Sequence, residues 1–151
     1  MKGASVVYIE RADIPSHTEW VEKWKLLTTR ANNIGTELPD DNLNTIICQP
    51  GYICTETYLV IGADMNLNEI SVHNLQKYTR TKFLRYLHGL SKASHDATSK
   101  TYRFIPLQNF TDSSDIDWSQ PVSAIDQQLY KKYGLDKKEI AFIEKNVKEM
   151  A

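Results

Sequence analysis

Between residues 71 and 104 the chain carries Lys77, Arg80, Lys82, Arg85, Lys92, Lys100 and Arg103 against a single acid, Asp96, a local net charge of +6. The remaining residues hold eleven basic and eighteen acidic side chains, a net of −7. A basic stretch set on an acidic body suits a polyanionic partner. Ser94, His95, Thr98, Ser99 and Tyr102 are interleaved with the charges. Side chains of these types bond phosphate oxygens and base edges alike. A solvated helix face followed by a loop is the plainer account of the same residues.

Other chemistries find less support. His17, His73, His88 and His95 show no His-x-x-x-His or Glu-x-x-His spacing, so no metal site is expected. Cys48 and Cys54 flank Pro50-Gly51 and are read as free, packed thiols rather than a regulatory disulfide. No glycine-rich phosphate loop or Gly-x-Ser-x-Gly elbow is present. Pro39-Asp40-Asp41 is the kind of start a metal-dependent nuclease motif has. That chemistry also needs a second carboxylate and a lysine on a nearby strand, and Glu56-Thr57-Tyr58 lacks the lysine. Trp20, Trp24 and Trp118 have the rings to stack on bases, but large aromatics more commonly fill cores.

The elements that must position these groups follow from patterning. The chain has 151 residues, 41% of them apolar and 25% charged, enough for one domain with a buried core. No apolar run reaches the roughly 18 residues of a membrane span, and no signal sequence opens the chain, so a cytoplasmic setting is expected. Ser5 to Glu10 reads as a strand. Ser16-His17-Thr18-Glu19 has the spacing of a capping box and predicts a short helix from Thr18 to about Lys23. A strand follows over Lys25 to Arg30, then a polar loop over residues 31–44. Thr45 to Gln49 and Ile53 to Ile61, joined by Pro50-Gly51, predict a β-hairpin.

Asn66 or Asn68 can cap one long helix from about Glu69 to Leu90, closed near Gly89. Residues 91–100 read as a loop and Thr101 to Leu107 as a strand. After a linker around residues 111–115, Ser123 or Asp126 begins a helix that Gly134 stops, and Asp136 caps a last helix through Met150. The expected fold class is α/β (α+β): a mixed or antiparallel sheet with a β-hairpin, one long helix packed on it, and a C-terminal helical tail. Residues 1–110 form the body, and residues 111–151 form a linker and terminal helices packed on it.

Several strings together resemble a known family. They are Cys54-Thr55-Glu56-Thr57-Tyr58-Leu59-Val60-Ile61-Gly62, Tyr78-x-x-Thr81-Lys82-Phe83-x-Arg85-Tyr86-Leu87, and Lys92 with Asp96-Ala97-Thr98. Tyr102-x-Phe104-Ile105-Pro106-Leu107-Gln108-Asn109-Phe110, Leu129-Tyr130-Lys131-Lys132-Tyr133-Gly134-Leu135 and Glu139-Ile140-x-Phe142-Ile143-Glu144 complete the set. The chain resembles the C-terminal, TaqI-like specificity region of adenine-specific DNA methyltransferases from restriction–modification systems, a region also found fused to nucleases. The resemblance covers Val7 to Met150 and is strongest from Cys54 onward. One departure is the stretch Ser113 to Asp126, which is longer than in the shorter family members.

In that family a separate domain binds S-adenosylmethionine and methylates adenine through an Asn-Pro-Pro-Tyr type motif, which this sequence lacks. The resemblance therefore implies target recognition on double-stranded DNA, with no enzymatic activity and no cofactor in this chain. A catalytic methyltransferase domain or subunit is the implied partner. Arg80, Lys82, Arg85, Lys92, Lys100 and Arg103 are the candidate DNA contacts, neutralising phosphates and releasing counterions. Arg103 also has the fork to read guanine. For Lys82 and Arg85 the competing account is structural, since a helix with Phe83 and Leu87 inward needs polar residues outward. The alternative function is a protein-interaction module whose terminal helices dock onto a methyltransferase or nuclease subunit.

Overall fold

The computed structural model describes residues 7–30, 44–91 and 98–150. Its described residues form an α+β fold, a three-stranded antiparallel sheet with four α-helices. The strands are β1 (Lys25–Thr29), β2 (Thr45–Cys48) and β3 (Tyr58–Ile61), in spatial order β2-β1-β3. Lys25, Leu26, Leu27 and Thr28 are all buried, as a central strand covered on both faces requires. Lys25 tolerates this because its ammonium donates to the carbonyls of Trp20 (3.0 Å) and Lys23 (3.0 Å).

The expected hairpin does not form. β2 and β3 each pair with β1, in the registers Leu27↔Ile46 and Leu27↔Val60, and not with each other. Pro50-Gly51 still makes its turn, with Gly51 at φ 87° and its N–H donated to the Val21 carbonyl at 2.8 Å. The turn leads across the end of β1 instead of back along β2. Strand propensity identified the partners, but apolar runs that all want burial cannot specify which pair.

The expected long helix is two helices, α1 (Glu69–Arg80) and α2 (Lys82–Ser91). Asn68 caps α1, accepting from Ser71 N at 2.8 Å. Thr81 then turns to extended backbone (φ −64°, ψ 145°). Its hydroxyl bonds the Tyr78 carbonyl (2.7 Å) and accepts the Leu84 amide (3.2 Å), so it ends one helix and caps the next. Gly89 lies inside α2 rather than closing it.

Three other expectations change. Val7 to Glu10 takes no regular secondary structure and joins no sheet among the described residues. Thr18–Trp20 is a single 3-10 turn in which His17, at φ 55°, holds the cap position without a side-chain bond, and Ser16 plays no capping part. Thr101 to Leu107 is no strand. Ser99–Tyr102 is a 3-10 turn held by a Thr98–Thr101 capping box, and residues 103–110 carry no strand pairing. The expected loops 31–44 and 91–100 fall mostly outside the described residues.

The helices α3 (Val122–Lys132) and α4 (Lys137–Asn146) match their signals more closely. α3 begins after Pro121, Gly134 takes φ 66° beyond its end, and Asp136 caps α4 through Lys138 N and Glu139 N. α4 ends at Asn146, short of Met150. The hydrophobic core joins Leu26, Val72, Phe83, Trp118, Leu129 and Ile143, drawing on sheet, all four helices and the stretch before α3. Thr111 to Asp115, read as a linker, is exposed apart from half-buried Ser114, and the buried Ile116 and Trp118 follow directly after it. Among the described residues no helix is long and apolar enough to cross a membrane.

Candidate nucleic-acid interface

Three of the six candidate DNA contacts meet where α1 gives way to α2. Arg80 ends α1, Lys82 opens α2 and Arg85 lies one turn further on. They line a cavity of about 230 Å³ together with Asp126, Glu144 and Glu149 from α3, α4 and the residues after it. The charges there cancel. Lys82 Nζ pairs with Glu144 at 2.6 Å, and the lysine side chain is only 12% exposed. Arg85 is 1% exposed. Its Nε donates to the Arg80 carbonyl at 3.3 Å and its Nη2 to the Lys148 carbonyl.

Asp126 is the keystone of this junction. From α3 its carboxylate accepts the first two amides of α2, Lys82 N at 3.0 Å and Phe83 N at 2.9 Å. A carboxylate at a helix N-terminus satisfies groups the helix cannot satisfy itself. Burial nevertheless dominates its ionisation, pushing its pKa up to about 6 against the pull of these two amides, while Glu144 raises it further and Arg85 lowers it. Tyr130 donates to the other oxygen of Glu144 at 3.0 Å, and burial, with the nearby carboxylates, drives its phenol well above the ordinary range. Such a junction braces α2 against α3 and α4. Arg85 is thus withdrawn from any surface role, because a guanidinium covered on all sides cannot reach a phosphate.

Lys100 and Arg103 are placed differently. Both are exposed on and just after the turn Ser99–Tyr102, which packs on α2 through Tyr102 and His88, ring centroids 4.3 Å apart. Neither makes an ion pair among the described residues, and Arg103 lies 4.5 Å over the ring of Phe104. Thr98 and Ser99 beside them are exposed too. Arg80 is also exposed, at the rim of the braced cavity. Lys77, counted in the basic stretch, donates to the Trp118 carbonyl at 2.6 Å. Lys92 lies outside the described residues, as do Ser94 and His95.

The remaining chemistry groups are structural where they are described. Cys48 is buried and Cys54 half-buried, both free, with thiols that burial pushes up. His88 is buried, His73 bonds the Glu69 carbonyl (2.6 Å) and His17 stacks on Trp20 (3.9 Å). Among the described residues no three metal-binding side chains cluster. Trp118 is core, and Trp20 donates to Asp64 at 2.9 Å. Asp40 and Asp41 lie outside the described residues. Sequence reasoning missed an apolar cavity of about 330 Å³ between β3, Tyr78, Tyr102 and Ile105 to Leu107. Its signal was there in Ile105-Pro106-Leu107, which reads as a strand but serves as a wall. Comparison of the chain with protein-family models, curated proteins and solved structures yields no match.

Proposed function

We propose that this chain is a DNA-binding target-recognition region of the restriction–modification, adenine-specific methyltransferase type. It acts in the cytoplasm beside a catalytic domain or subunit that holds S-adenosylmethionine. The chain itself performs no catalysis in this reading. The observation that carries it is the exposure of Lys100, Arg103 and Arg80 without an acidic partner among the described residues. Cations left open on an otherwise acidic chain are available to phosphates. Thr98 and Ser99 add hydroxyls of the kind that position a protein on a duplex. Lys82 and Arg85 leave the contact set for the brace described above.

The test is fluorescence-anisotropy binding to a randomised duplex pool at low and moderate salt, with sequencing of the retained DNA. Salt-sensitive binding with an enriched short motif is the expected result. Failure to bind at low salt removes the reading. A second reading, docking onto a methyltransferase or nuclease subunit, is favoured by a separate apolar cleft of about 450 Å³ between α2 and α4. Phe142 stands 54% exposed there beside half-buried Tyr86 and Leu87. Association through that cleft would be insensitive to salt and lost in Phe142→Asp.

A further inference from the structure

Two leftover features of the molecule complement one another. The first is Val7-Tyr8-Ile9-Glu10. It is rich in strand-forming residues, takes no regular secondary structure and pairs with nothing among the described residues. Val7 is 81% exposed and Tyr8 98%, so this arm covers no surface of its own copy. Large apolar side chains held wholly in water are an unfavourable end state for a chain that could bury them.

The second feature is the open edge of β3. The bond from Arg30 N to the Thr57 carbonyl (3.2 Å) sets the phase of the β1–β3 ladder. Alternation then assigns Thr28 with Leu59 and Leu26 with Ile61 as the hydrogen-bonded pairs. The amide and carbonyl of Val60 therefore point away from β1, toward an edge no described strand occupies. The apolar cavity lies along this edge, because it touches Leu59, Val60 and Ile61 in succession. Successive strand residues face opposite sides of a sheet, and a space that reaches the edge meets all three. Leu107, 71% exposed, forms its outer wall.

We propose that the Val7–Glu10 arm of one copy adds as a strand to the β3 edge of a second copy and occupies the cavity beside that edge. A strand is what an unpaired edge accepts, main-chain bonds giving affinity and side-chain pockets giving register. Arg11, which follows the arm, pairs with Glu22. A two-fold exchange makes every contact twice and closes the assembly as a dimer.

Sedimentation velocity of the full chain, without DNA and across a range of concentrations, tests this. Two variants accompany the wild type: Tyr8→Asp in the arm and Leu107→Asp in the wall. Both positions are exposed, and unchanged circular dichroism melting checks that both variants fold. The expected result is a wild-type dimer whose dissociation constant rises at least about tenfold in each variant. A monomer at every concentration overturns the proposal, and so does a dimer indifferent to both substitutions. Hydrogen exchange separates the remaining case. Protection of the arm in a monomer, lost in Leu107→Asp, would assign the arm to its own sheet and overturn the exchange between copies.

Discussion

Two stretches of the same basic segment meet opposite fates. Lys82 to Arg85 and Lys100 to Arg103 both belong to it, yet the first is enclosed and neutralised while the second stands in solvent. Proximity in sequence does not make the difference. The partners of the first stretch come from far along the chain, Asp126 bonding Phe83 across 43 residues and Glu144 pairing Lys82 across 62. No comparable acid is brought to Lys100 or Arg103 among the described residues. A buried cation is tolerable only when its donors are satisfied, and Arg85 meets that condition through backbone carbonyls on α1 and beyond α4. What the contrast teaches is that a basic run becomes a surface or a brace according to which carboxylates the tertiary fold delivers to it.

The largest effect expected from this contrast is at Asp126. Asp126→Ala removes the acceptor for two α2 amides and a counter-charge to buried Arg85, so it should cost about 3–5 kcal/mol of stability. Lys100→Ala and Arg103→Ala should stay within about 0.5 kcal/mol, as exposed substitutions generally do. Urea denaturation of the three variants measures both. An Asp126→Ala protein as stable as the wild type would dissolve the distinction between the two stretches.

The next effect is pH dependence. Burial lifts the folded-state pKa of Asp126 from 3.8 to about 6, so the folded chain retains a proton that the unfolded chain gives up. The stability linked to this group is complete below about pH 4 and is lost as pH rises through about 6, on the order of 3 kcal/mol in all. Asp115 and Asp117 run the other way. A hydrogen bond from Lys132 lowers the first, and bonds from Ser119 and Gln120 lower the second, so their contribution is lost on acidification. The difference between wild type and Asp126→Asn isolates the brace, since asparagine keeps an acceptor for the helix amides without titrating. Melting temperatures across this pH window should fall with rising pH more steeply in the wild type than in the variant.

Much of the fold was legible because it was local. Asn68, Asp136 and Gly134 act within one turn of themselves, and each sits where its cap chemistry places it. The class of fold and the three strand-forming runs in Lys25–Ile61 were legible for the same reason. What was not legible depended on distant partners. Thr81 breaks the long helix because Asp126 arrives to hold the start of α2, and nothing near Thr81 announces that. The pairing of β2 and β3 with β1 rather than with each other is likewise a global choice. Of the candidate site, the exposed cations were visible in the sequence, but Arg85 was indistinguishable from them until burial was known. The strand-like Ser5 to Glu10 failed in a different way. Its propensity is real, but a strand needs a partner, and its described part, Val7 to Glu10, pairs with none among the described residues.

The smallest effects sharpen the comparison most, because they are read on DNA rather than on stability. In the proposed reading Lys100→Ala and Arg103→Ala each weaken binding to all duplexes and reduce the slope of log affinity against log salt by about one unit. Lys82→Ala should leave that slope unchanged, since its ammonium already neutralises Glu144. Arg80, exposed at the rim of the brace, should behave like Lys100 if it faces the duplex and like Lys82 if the acidic cavity holds it. Arg103 has one further property. It rests over Phe104, and an arginine held by an aromatic face is restricted before it meets a base edge. If it reads guanine, Arg103→Ala costs about 1–3 kcal/mol on the cognate sequence alone. If it contacts only phosphate, the loss is uniform across sequences, and anisotropy titrations on an enriched motif and a scrambled duplex separate the two. A salt slope altered by Lys82→Ala and untouched by Lys100→Ala would reverse the assignment and return the DNA face to the α1–α2 junction.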